Sequence, residues 1–118
     1  MQVRFTPLAL DDIRNILDTS ALRHGDAARD RYRALLGTAF RQIETSPTNV
    51  SSAACDDLAP GIRRLHLARC RQSGKAPRVA NPVHVVFYKQ VAADAILIVR
   101  VMHERMEPSR HLQDGETP

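Results

Sequence analysis

Between Leu58 and Ala93 this sequence contains no aspartate or glutamate. The same window holds Arg63, Arg64, Arg69, Arg71, Lys75, Arg78 and Lys89, so its positive charge is not offset locally. Such a window reads either as a solvated basic face or as a docking surface for an acidic partner. Cysteine is scarce as well. Cys55 and Cys70 are too few for the disulfide framework of a small secreted scaffold and fit free thiols in a reducing cytoplasm. Aromatic residues make up 4% of the chain, which argues against sequence-specific reading of nucleic acid by base stacking, so direct nucleic-acid binding is not expected. No apolar run approaches the length of a membrane span, and the start, Met1-Gln2-Val3-Arg4-Phe5, lacks a signal-peptide core. Phosphate loops, nucleophile elbows and paired-carboxylate motifs are absent, and no His/Cys pair has metal-ligand spacing, so neither cofactor nor metal is expected.

What is present is the make-up of an ordinary domain: 118 residues, 43% hydrophobic, 25% charged and a formal charge of +4. The expectation is one cytoplasmic domain over 1–112, followed by a disordered tail over 113–118. Val3 and Phe5 alternate with polar residues, a short strand signal. Thr6 caps a helix with Pro7 in its first turn and Asp11 and Asp12 near its positive end. Leu10, Ile13, Ile16, Leu17 and Ala21 share its apolar face, and Gly25 ends it. Asp26 is placed to cap a second helix, whose stripe is Tyr32, Leu35, Leu36, Ala39, Phe40 and Ile43. Pro47 stops it, and the short break between the helices implies an antiparallel hairpin.

Residues 46–60 read as loop. A strand carries Leu65 and Leu67 on one face with Arg64 and His66 on the other, while Ile62 falls out of step. Residues 71–81 read as a long flexible connection. Val83 to Tyr88 is a third strand, and Ile96 to Met102 is a fourth, apolar enough to be interior. The expected fold is α+β: an N-terminal strand, then an antiparallel helical hairpin packed on a small antiparallel β-sheet, in the order β-α-α-β-β-β. The hairpin covers one sheet face and leaves the other for solvent or a partner.

Two constellations could carry chemistry. His66, His84, His103 and His111, with Arg64, Arg100 and Arg105, could form an acid–base site for RNA cleavage, the arginines stabilising phosphate charge. The end of the fourth strand, from Arg100 through His103, Arg105 and Arg110, presents charge where a fixed strand leaves the core. Arg100 could equally be structural, pairing with Glu104 or Glu107.

Several segments, in order, resemble a ParE-type toxin of the ParE/RelE superfamily: Phe5-Thr6-Pro7-Leu8-Ala9, Asp12-Ile13, Asp30-Arg31-Tyr32, Leu58-Ala59-Pro60-Gly61-Ile62-Arg63, Val86-Phe87-Tyr88, Arg100-Val101-Met102-His103-Glu104-Arg105-Met106-Glu107 and Arg110-His111-Leu112. The resemblance spans about residues 2 to 112. It implies the toxin of a type II toxin–antitoxin pair, neutralised by a ParD-like antitoxin with an acidic C-terminal segment. It also implies inhibition of DNA gyrase without catalysis, with Arg100, His103, Arg105 and Arg110 as target contacts. Arg63, Arg64, Arg69, Tyr32, Leu36 and Phe40 would then meet the antitoxin. Two alternatives stay open: a ribosome-dependent mRNA endonuclease of the RelE type using His84, Arg64 and Arg105, and a non-toxic antitoxin-binding relative. The connection 71–81 is longer than is usual in the family.

Overall fold

The computed structural model describes residues 1–70 and 78–112. Most of the connection expected over 71–81 and the whole tail 113–118 lie outside the described residues. The chain opens with strand β1 (Gln2–Phe5), helix α1 (Pro7–His24) and helix α2 (Asp26–Thr45). Strands β2 (Ala53–Ala54), β3 (Arg63–His66), β4 (His84–Ala92) and β5 (Ala95–His103) follow. They form one sheet in the order β1-β5-β4-β3-β2. The α+β class, the N-terminal strand and the helical hairpin are as expected. The β2-to-β5 part is antiparallel, while β1 adds to β5 in parallel, pairing Gln2 with Ala95 and Phe5 with Ile98. The sheet is therefore mixed.

The first turn of α1 explains how β1 hands over to the hairpin. Thr6 is fully buried; its Oγ1 accepts from the Ala9 amide at 3.0 Å and donates to the Val99 carbonyl at 2.7 Å. One hydroxyl thus caps the helix and pins it to β5. Gly25 ends α1 and precedes α2 at φ 90°, a backbone angle open to glycine and costly for other residues. Here the structure departs from the expected cap: Asp26 is the first residue of α2, and Gly25 holds the cap position without a side-chain bond. The buried residue of α1 is Ala9, while Leu10 is 49% exposed. A small residue is needed there because the helix lies close against the sheet.

The sheet has two covered faces. One carries Val86, Tyr88, Ile96, Ile98 and Val101 and packs on Leu35, Leu36, Ala39 and Ile43 of α2, the stripe expected from spacing. The other carries Val85, Phe87, Leu97, Val99 and Met102, roofed by Cys55, Ile62 and Leu112 with Leu58 and Ala59. That face is not left open, as the sequence suggested. Ile62 falls out of step because it belongs to this second cluster, whereas Leu65 belongs to the first. Leu67 is buried but sits in a 3₁₀ turn over Leu67–Arg69 that ends β3. Cys55 and Cys70 are buried free thiols.

Candidate functional site: the two polar seams at the end of β5

Strand β1 is short, so β5 loses its neighbour after Ile98. The bare edge meets α1. The register between β4 and β5 shifts between Phe87 and Tyr88: Tyr88 faces Ile98 and Phe87 faces Arg100, with Val99 the extra residue. A bulge of this kind turns side chains out of the regular alternation. Arg100 Nε and NH2 reach the Asp12 carboxylate at 2.7 and 2.9 Å, and the Val101 amide donates to the same carboxylate at 3.0 Å. Arg100 also donates to the His111 carbonyl at 3.2 Å. The two side chains are only 11% and 15% exposed. Asp12 therefore completes the edge of β5 and ties α1 to the C-terminal segment. Its partner is Arg100, so neither Glu104 nor Glu107 holds that arginine, and the expected contact role for Arg100 meets a side chain already committed inside the fold.

The second seam lies at the start of β4. His84 and His103 face each other across β4 and β5, rings 5.6 Å apart and nearly perpendicular. His84 is on the helix side, where its Nδ1 is 2.6 Å from the Tyr32 hydroxyl. That hydroxyl accepts the Val83 amide at 3.3 Å. With the phenolic proton directed at Nδ1, His84 carries its own proton at Nε2. Burial, followed by the neighbouring His103 and His66, pushes the His84 pKa down to about 4, and burial also raises that of Tyr32. His103 Nδ1 accepts from the Arg105 amide at 3.1 Å. Both rings line a groove of about 750 Å³ between the helices and the sheet end. Ile16, Val79 and Val83 give it an apolar wall, and Arg23, Arg31 and Arg78 give it charge.

His66 stands on the opposite face. Its Nε2 is 2.6 Å from Glu104 Oε2, and its Nδ1 accepts from the Ala68 amide at 3.0 Å. The hydrogen bond from His66 holds the Glu104 carboxyl below its ordinary pKa. Arg64 and Arg69 line a smaller pocket of about 320 Å³ beside this pair. Arg64 is paired with Phe87 and His66 with Val85, both on the second face. The RNA-cleavage constellation is thus divided: His84 faces the helices, and Arg64 and His66 face away from them. Nδ1 of His84 is engaged by Tyr32, and both ring nitrogens of His66 have partners.

The remaining candidates are scattered. Arg105 and Arg110 are exposed on the turn and 3₁₀ segment (Pro108–Arg110) after β5. Arg63 donates to the Ser52 hydroxyl at 3.2 and 2.8 Å, and Arg69 is exposed. Phe40 packs edge-on against Phe5, and Tyr32 is spent on His84 and Val83. Leu36 is 2% exposed and is core, so it offers no surface to an antitoxin. Sequence reasoning missed Asp12, assigning it to the helix dipole. The signal available was an aspartate beside apolar Ile13 on a helix expected to pack on a strand ending in arginine. Among the described residues, no three His, Cys, Asp or Glu side chains converge on a metal-sized site, and no helix is long and apolar enough to cross a membrane.

Comparison with known proteins places this geometry among others. Residues 3–108 match the family model described as ParE toxin of type II toxin–antitoxin system, parDE. Toxin ParE1 of Mycobacterium tuberculosis, recorded in two strains, is 27% identical over 107 residues, covering 91% of this chain and 93% of the relative. A chain from the chromosomal ParDE TA system from P. aeruginosa superposes with a TM-score of 0.54 at 18% identity, covering 87% of this chain and 95% of that one.

Proposed function

The chain belongs to the ParE toxin family of type II toxin–antitoxin systems, and on that premise we propose that it inhibits DNA gyrase in the cytoplasm, stops replication and growth, and is neutralised by a ParD-like antitoxin. The observation that carries the reading is the contrast between Arg100 and the arginines after it. Arg100 is consumed by Asp12, and this fixes the strand end. Arg105 and Arg110 then project from a braced base, while His103, at the strand's last position, has its ring in the groove wall. A cationic projection on a held strand end suits pressing on a protein–DNA complex, whose phosphates attract its charge.

The division of His84 from Arg64 across the sheet favours this mode over the mRNA endonuclease. The exposed Arg64 and Arg69, which line one pocket, offer a basic surface to an acidic antitoxin segment. The ParDE system of the solved neighbour supports a partner of the ParD kind. The experiment is gyrase supercoiling with the purified full chain. Inhibition at stoichiometric excess, relieved by the antitoxin, is expected. Undisturbed supercoiling together with cleavage of mRNA on translating ribosomes would transfer the protein to the nuclease reading. Normal growth when the chain is expressed without its antitoxin would mark a non-toxic relative.

A further inference from the structure

The groove of about 750 Å³ at the helix–sheet seam has a composition that gyrase inhibition does not use. Its lining includes Arg23, Arg31 and Arg78 together with His24, His84 and His103, and no aspartate or glutamate. None of the three arginines is ion-paired among the described residues, whereas Arg14, Arg29, Arg33 and Arg100 all are. The two inner histidines are set as donors rather than bases. Tyr32 occupies Nδ1 of His84, and the Arg105 amide occupies Nδ1 of His103. Each ring therefore has Nε2 left as its donor nitrogen, on a groove wall built from paired strands. Arginine charge with oriented N–H donors is the chemistry that recognises phosphate. The wall of Ile16, Val79 and Val83 adds apolar surface beside it, and the volume lies in the range of small-ligand sites.

We propose that this groove binds a small phosphate ester carrying an apolar or aromatic body, a nucleoside monophosphate being the simplest case. The phosphate sits among Arg31, Arg78 and the Nε2–H groups of His84 and His103, and the base lies on the apolar wall. Tyr32 is a positioning residue, holding the His84 ring without touching the ligand. The site is independent of the gyrase reading.

The test is calorimetric titration of the purified full chain with AMP, with the histidine ring resonances followed by NMR. Saturable one-to-one binding is expected, with the His84 and His103 signals moving and the His66 signal still. Arg31→Gln with Arg78→Gln, both at the groove surface, is expected to weaken binding at least about tenfold and to leave the thermal midpoint in place. Tyr32→Phe, which keeps the ring, is expected to weaken it less. Inorganic phosphate is expected to compete more weakly than AMP, and adenosine not at all. The assignment is overturned by absence of saturation, by equal binding to the double variant, or by inorganic phosphate binding as tightly as AMP. Binding of a glutamate-rich peptide but not of AMP overturns it too, giving the groove to an acidic polypeptide. None of these readouts involves gyrase, so failure here leaves that reading standing.

Discussion

Two polar seams join the helices to the sheet, and they handle burial in opposite ways. At the Asp12–Arg100 seam a carboxylate and a guanidinium are paired directly, and the Val101 amide fills a further acceptor site on the carboxylate. At the Tyr32–His84–His103 seam burial keeps His84 neutral, outweighing the opposite pull of Asp12 and Glu104. The first seam is closed and structural. The second lines an open groove. Ionisable residues near a strand end thus divide into those that fasten it and those still available to a ligand, and residue type alone does not separate them.

The largest effect expected from breaking this contrast is at Asp12. Asp12→Ala removes the carboxylate facing a largely buried guanidinium and an edge amide, and should cost ~3 kcal/mol, read from urea unfolding. Asp12→Leu combined with Arg100→Met should recover most of that loss, because a well-packed apolar pair can replace a buried ion pair. Next comes Tyr32→Phe. It leaves the Val83 amide and His84 Nδ1 without their shared partner and should cost about 1–2 kcal/mol in the same assay.

Acid sharpens the contrast further. His84 has its pKa lowered from 6.5 to about 4 in the folded chain, so the unfolded chain takes up a proton that the folded chain refuses. Stability therefore falls as pH drops from near 7 through 6.5 toward 4, and the loss levels off below 4. With the partial exposure of the ring discounted, the expected loss is on the order of 1–2 kcal/mol. His84→Asn should flatten that part of the profile. The smallest effect belongs to Glu104→Gln: the carboxylate is exposed, its bond to His66 is a surface contact, and the urea midpoint should barely move.

Much of the fold was legible because its signals are local. The Thr6-Pro7 start of α1, the stripe from Tyr32 to Ile43 and the apolar run from Ala95 to Val99 each specify an element within a few residues. What escaped depends on long-range pairing. Strand β2 is two alanines that become a strand only beside Arg63 and Arg64. The bulge at Val99 and Arg100 appears only in the register with β4, and the contact of Arg100 with a residue 88 positions away only in the packing of α1 on the β5 edge. The histidines were recognisable as a set, yet their division between two faces required knowing that His66 pairs with Val85 while His84 pairs with His103. The turn residues Arg105 and Arg110 were legible as exposed charge because they follow the apolar strand.

The most direct measurement is gyrase supercoiling titrated with the wild-type chain and with Arg105→Ala combined with Arg110→Ala. Wild-type chain should inhibit. The double variant should lose at least about tenfold in potency, as expected when two exposed contact charges are removed, while its urea midpoint stays where it was. Undiminished inhibition by the double variant would contradict the account, since the braced arginines after β5 would then not be what gyrase meets.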